Sequence, residues 1–286
     1  MKYCVSILIF ILSLVPQFSM AEAGPTLERI KQTGVVRIGF RENEPPMSYL
    51  DGDSKPIGYS IDLCTRIVNE IRGTLKKTDI SVEFVPVDSA NRFKAIVDDK
   101  IDILCGSTTK TLSRAELVDF TQLTFVTGAS LLSLEQTGVE NIAGLQDKKV
   151  AVVKDTTTID QLKNTLKESV IDAEIIPVDS ASAGMKALIA GEVDAFSSDQ
   201  VVLIGLAITH EGEEKFTIAD DVFSFEPFAL AVKRGDSDFR LVADRALSRL
   251  NRNGQITPIY AKWFGKLSKR VPTMLEAMYL LTATPE

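Results

Sequence analysis

Histidine and tryptophan each occur once and cysteine three times in a chain of 286 residues. One histidine excludes a multi-histidine metal centre, and three cysteines exclude both a four-cysteine zinc site and a disulfide framework. Gly 17 and Pro 11 are too few for a fibrous or low-complexity chain. Basic residues are outnumbered, 32 Lys+Arg against 39 Asp+Glu, and a net charge of -7 is the wrong sign for a nucleic-acid binder. No glycine-rich loop follows a strand pattern to cradle phosphate. The sole histidine, His210, sits in the polar turn Thr209-His210-Glu211-Gly212, where a solvated surface role is expected. Serine and cysteine therefore lack a recognisable base, and no catalytic residue, metal or cofactor is expected.

What remains is an ordinary globular composition, 45% hydrophobic and 25% charged, at a length that suits about two domains. The one long apolar run, Cys4 to Val15, follows Met1-Lys2-Tyr3 and ends at Pro16. At about 12 residues it matches a signal-peptide core and falls short of the roughly 20 needed to span a bilayer. Residues 1–23 are read as a cleaved signal, with cleavage after Ala21 or Ala23, against an uncleaved anchor as the alternative. The mature chain is then exported and soluble, with no membrane insertion of its own. Cys64 and Cys105 pair in an oxidising compartment or remain two buried thiols; the sequence does not choose.

The mature chain repeats one unit. Val85-Pro86-Val87-Asp88-Ser89-Ala90 parallels Ile176-Pro177-Val178-Asp179-Ser180-Ala181. Each leads into apolar positions at helical spacing, Phe93, Ile96 and Val97 or Met185, Leu188 and Ile189, and then into a short strand, Ile101–Leu104 or Val193–Phe196. Upstream lie the strand patterns 35–40 and 150–153, with helices expected over 61–71 and 159–166. Alternating strands and helices predict an α/β protein of two lobes, each a mainly parallel sheet flanked by helices. The extended runs 120–128 and 228–232 are the expected crossings, two strands forming a hinge, and a terminal helix is expected over 239–252. Lobe 1 is read as 24–124, lobe 2 as 125–227, and a return to lobe 1 as 228–286.

Ligands of open α/β sheets lie at the carboxyl ends of the strands. Cys105-Gly106-Ser107-Thr108-Thr109, with Arg114 shortly after, Lys154-Asp155-Thr156-Thr157-Thr158, and Phe196-Ser197-Ser198-Asp199 all occupy such ends. Serine and threonine at a helix start leave N–H groups free for an anion, and an arginine adds a planar fork for a carboxylate. Taken singly, each is equally a helix cap, and Arg41 and Arg92 are equally surface ion-pair formers.

Together with Arg37-Ile38-Gly39, Pro45-Pro46-Met47-Ser48-Tyr49, Gly58-Tyr59-Ser60, Ser89-Ala90-Asn91-Arg92, Val118-Asp119-Phe120-Thr121 and Lys262-Trp263-Phe264, these strings carry a resemblance. From about Leu27 to Lys266 the chain resembles the periplasmic solute-binding proteins of polar amino-acid ABC transporters, and among them the glutamate/aspartate binders. The resemblance implies the type II two-lobed periplasmic binding fold, a periplasmic location, a monomer, an amino-acid ligand and an inner-membrane ABC permease as partner. It also implies that Arg114, with N–H groups near Thr109 and Thr156, meets the ligand's α-carboxylate. Asp199 would meet the α-ammonium, helped by Ser107 and Thr109. Arg41, Arg92 and Ser89 would meet the side-chain carboxylate. Two departures stand out: Asp155 where those members carry glycine, and Ser180-Ala181-Ser182 where they offer a histidine. These leave glutamine, asparagine or an unusual dicarboxylate as alternative ligands. Cyclohexadienyl dehydratases, enzymes that resemble these binders, are the alternative of another class.

Overall fold

The computed structural model describes residues 24–210, 212, 214–266 and 270–286; the expected signal segment lies outside them. The chain runs α1 (Pro25–Thr33), β1 (Val35–Phe40), a small antiparallel sheet of β2 (Asn43–Glu44), β3 (Ser48–Leu50) and β4 (Pro56–Ile57), then α2 (Tyr59–Leu75), β5 (Ser81–Pro86), α3 (Arg92–Val97), β6 (Ile103–Cys105), α4 (Leu112–Ala115) and β7 (Val118–Thr127). It crosses into β8 (Ala129–Leu134), β9 (Lys148–Val153), α5 (Thr157–Glu168), β10 (Ala173–Val178), α6 (Ala181–Ile189), β11 (Ala195–Asp199), α7 (Gln200–Thr209) and β12 (Phe216–Ile218). It returns through β13 (Glu226–Lys233) to α8 (Ser237–Arg252), α9 (Ile256–Phe264) and α10 (Thr273–Leu281).

Two five-stranded sheets result, ordered β5-β1-β6-β13-β7 and β10-β9-β11-β8-β12. In each, three parallel strands are followed by an antiparallel one, β13 in the first and β8 in the second. The sheets are therefore mixed, because each crossing strand enters its sheet against the direction of its neighbour. Apolar side chains cover both faces. On α2 the buried residues Ser60, Cys64, Ile67 and Ile71 recur at spacings of three and four, which lays one stripe on the first sheet.

The sequence repeat is visible at atomic detail. Asp102 and Asp194 each precede a strand, and each carboxylate accepts a main-chain N–H near the start of the neighbouring strand, from Arg37 of β1 or Lys149 of β9, at 2.7 and 2.8 Å. Each aspartate's own N–H returns to that residue's carbonyl. This clasp explains why β6 and β11 begin two residues later than their apolar patterns. Val97, expected on the buried face of α3, is 51% exposed. It ends a helix of fewer than two turns, which has no further turn to carry it over the sheet.

The crossings lie side by side: Thr127 at the end of β7 is the register partner of Glu226 at the start of β13. Beside them the Tyr59 hydroxyl donates to the Thr124 carbonyl at 3.0 Å and meets the Tyr279 hydroxyl of α10 at 2.8 Å. Cys64 of α2 and Cys105 at the end of β6 are joined by a disulfide, so the oxidised alternative is the one observed. Across the seam between lobes, α7 meets the main chain of the first lobe directly. A Cβ on Gly205 would stand 2.1 Å from the Pro45 carbonyl oxygen.

Candidate functional site

A cavity between the lobes is lined by Arg41, Glu44, Arg92, Ser107, Thr109, Arg114, Thr156, Thr157, Thr158, Ser197, Ser198 and Asp199, among others. Seven of the eight residues expected at a site thus share one cavity. Ser89 is not in its lining. Its hydroxyl takes an Arg41 Nη2 bond at 3.0 Å and its carbonyl takes one from Arg92 Nη1, so it holds the arginines from behind.

Each arginine is positioned by the end of a strand. Arg41 follows β1, is 8% exposed, and pairs with Glu44 at 2.8 Å. Its side chain lies against Gly106, where an added Cβ would come within 2.9 Å of Arg41 Cγ. Arg92 opens α3 and is 3% exposed. Its Nη2 crosses the cleft to the Asp155 carbonyl at 2.9 Å. Arg114, in the single turn of α4 capped by Thr111, donates through Nη1 to the Thr109 carbonyl at 2.8 Å. Two of the guanidinium groups lie over the Phe93 ring, Arg92 at 4.8 Å and Arg114 at 5.3 Å from its centroid. Burial, with repulsion from Arg41 and Arg114, presses the Arg92 guanidinium down to about 9. Burial also lowers that of Arg114, against the opposing fields of Glu226 and Asp199. At about 9 the Arg92 guanidinium is still a cation at neutral pH. Such crowding of like charge is what an anion relieves.

The second lobe supplies a helix N-terminus and an acid. Thr156 stands at the N-cap of α5 without a side-chain cap bond; its hydroxyl turns back to the Val153 carbonyl at 2.6 Å. The first-turn N–H groups of α5, at Thr157 and Thr158, have no partner within the helix and border the cavity. Asp155 is exposed, outside the lining, in a left-handed conformation at φ 59. That backbone suits glycine and tolerates aspartate. The departure at this position therefore puts a carbonyl, not a carboxylate, towards Arg92. Ser180 caps α6 through the Ala183 N–H at 3.1 Å, and Ala181 alone of 180–182 reaches the cavity. Asp199 ends β11 with Oδ1 shielded from solvent and without a hydrogen-bond partner. Burial first, then the charges of Glu226 and Glu44, raise its carboxyl well above the ordinary range. His210, the single histidine, ends α7 with Nδ1 2.9 Å from the Leu206 carbonyl, remote from the cavity lining. Among the described residues no cluster of histidine, cysteine and carboxylates is arranged to hold a metal.

Two acids were not found by sequence reasoning. Glu44 lines the cavity and accepts from Ser107 Oγ as well as from Arg41. Glu226, 1% exposed, accepts from Thr109 Oγ1 at 2.6 Å, Thr157 Oγ1 at 2.9 Å and Ser224 Oγ at 2.8 Å. The signal for Glu226 was an acid at the head of an otherwise apolar crossing strand. For Glu44 it was an acid three residues past Arg41.

Residues 36–266 match the model of the bacterial extracellular solute-binding proteins, family 3. The L-glutamate/L-aspartate-binding protein of Pseudomonas aeruginosa is 31% identical over 84% of this chain and 80% of its own length. The glutamate/aspartate import solute-binding protein of Escherichia coli is 29% identical over 85% of this chain and 80% of its own. Among solved structures, an ancestral arginine-binding protein bound to glutamine superposes with a TM-score of 0.72. It is 27% identical and covers 81% of this chain and 98% of that one.

Proposed function

Since the chain belongs to the bacterial extracellular solute-binding proteins of family 3, which serve amino-acid ABC transporters, we propose that it captures an acidic amino acid, glutamate or aspartate, between its lobes and delivers it to an inner-membrane permease. The observation that carries this reading is the convergence of Arg41, Arg92 and Arg114 with Asp199 on one cavity. Three cations and two carboxylates line it, a net of one positive charge opposite a ligand with one net negative charge. Arg114 and the open N-terminus of α5 suit the α-carboxylate, Asp199 the α-ammonium, and Arg92 with Arg41 the side-chain carboxylate. The lobes close on the ligand about the paired strands β7 and β13. The protein acts as a monomer without a cofactor, exported to the periplasm by its N-terminal signal.

A thermal-shift screen of L-amino acids and small dicarboxylates tests this reading, because a ligand of the native state raises the melting temperature. Glutamate and aspartate are expected at the head of the ranking. Glutamine has one observation in its favour: Glu44 already pairs with Arg41 and offers an acceptor to an amide N–H. Arg92→Ala separates the two. It should weaken glutamate more than glutamine by about tenfold or more, roughly 1.4 kcal/mol. Equal loss would confine Arg92 to its bridge to Asp155. Against an enzymatic role, the Glu44 oxygens are engaged by Arg41 and Ser107 rather than poised as a proton donor. Turnover of prephenate or arogenate would overturn that assignment.

Asp199 adds a pH dependence. Its carboxyl is raised in the free protein, so its contribution to folding stability is complete below the ordinary carboxylate range and is lost as pH rises through the raised value. Affinity moves oppositely: an ammonium needs the ionised form, so binding weakens as pH falls through that value and releases a proton within the window. Calorimetry in buffers of different ionisation enthalpy reads this release, and Asp199→Asn should abolish it. A heat independent of buffer throughout the window would remove Asp199 from the ammonium site.

A further inference from the structure

We infer that Glu226, which does not line the cavity, is a positioning residue that fixes Thr109 and Thr157 as hydrogen-bond acceptors towards the ligand's α-ammonium. A hydroxyl has one proton to donate, and an ionised carboxylate only accepts. Both threonine hydroxyls donate to Glu226 Oε2, at 2.6 and 2.9 Å, while Ser224 occupies Oε1. Their protons are thereby turned away from the cavity that both residues line, and what they offer into it is lone pairs. Ser107 is set the same way by Glu44. The two threonines come from opposite lobes, Thr109 from the loop after β6 and Thr157 from the first turn of α5, and their oxygens lie 3.4 Å apart. One carboxylate, 1% exposed at the head of β13, therefore sets the polarity of the place where the lobes meet. Lone pairs in the cavity shared with Asp199 favour an N–H donor and disfavour a further anion there, which distinguishes an amino acid from a dicarboxylate of the same length without the ammonium.

This inference rests on the reading that the α-ammonium lies at Asp199, but not on the side chain of the amino acid. The test compares L-glutamate with 2-hydroxy-glutarate, whose hydroxyl both donates and accepts, by calorimetry on the intact protein. In Glu226→Leu both threonine hydroxyls lose their acceptor and are free to turn a proton into the cavity, whereas a glutamine could keep its oxygen on both threonines and turn its NH₂ to Ser224. The preference for the amino acid over the hydroxy acid should fall at least tenfold. Glu226→Asp, still acceptor-only, should retain the preference even with both affinities reduced. Should Glu226→Leu not fold, Thr157→Val removes one acceptor and should lower the same ratio. An equal loss for both ligands in the folded variants would overturn the inference and leave Glu226 a structural buried acid. If the unaltered protein binds glutamine and not glutamate, the acidic-ligand reading fails while this one is tested with L-glutamine and its 2-hydroxy counterpart. Binding of no L-amino acid overturns both.

Discussion

Arg114→Ala is expected to cost about 2–5 kcal/mol of amino-acid affinity, from about 30-fold to several thousand-fold in Kd, because truncation leaves a ligand carboxylate buried without its cation. The expected effect on the free protein is in the other direction or small. Arg114 lowers the Arg92 guanidinium by repulsion, and only one of its hydrogen bonds, to the Thr109 carbonyl, is given up. Calorimetry for affinity and a thermal melt without ligand separate the two. Arg114→Lys keeps the charge and loses the planar fork, so it should fall between the parent and the alanine variant. Unchanged affinity in Arg114→Ala, with the fold intact, would place Arg114 outside the binding site and remove the fixed cation on which the α-carboxylate assignment depends.

The second large effect is on stability. The Cys64–Cys105 bond spans a sequence separation of 41 residues. Chain-entropy arguments give such a loop about 4 kcal/mol, and measured values commonly run from about 2 to 4. For a chain of this size that corresponds to a melting temperature roughly 4–16 °C lower after reduction or in the Cys64→Ala/Cys105→Ala double variant. The bond ties α2 to the strand end that carries Gly106-Ser107-Thr108-Thr109, so ligand affinity should also fall in the double variant, though less than in Arg114→Ala. Thiol titration under denaturing conditions checks the premise: no free thiol is expected from this pair before reduction. Equal melting temperatures with and without reductant would show that the bond contributes nothing in solution.

Local chemistry made much of the fold and site legible before any coordinates. The repeat Val-Asp-Ser-Ala, the apolar strand patterns and the Ser/Thr strings at strand ends each depend on a few neighbouring residues, and each falls in the element expected, with β6 and β11 starting two residues late. Arg114 and Asp199 could be singled out because they lie at or just after strand ends that face the crevice of an open sheet, whereas Arg41 and Arg92 could be named only through the resemblance to amino-acid binders. Glu226 could not, since its meaning lies in hydroxyls more than 60 residues away on two different elements. Nor could the position of the Asp155 side chain be read, because a backbone at positive φ is decided by the loop as a whole. The late starts of β6 and β11 come from the same cause. An aspartate that completes a neighbouring strand spends its own backbone there, and hydropathy does not register it.

The meeting of Gly205 with Pro45 sets a tolerance on the whole arrangement. A methyl group in place of that hydrogen would have to be pushed about 1 Å or more outward to reach ordinary van der Waals distance. A displacement of that size, transmitted along α7 and β11, would stretch the 2.9 Å bond between Arg92 and the Asp155 carbonyl towards the limit of hydrogen bonding. The smallest residue in the chain thus acts as a doorstop for a buried arginine, from a helix that contributes no side chain to the cavity lining.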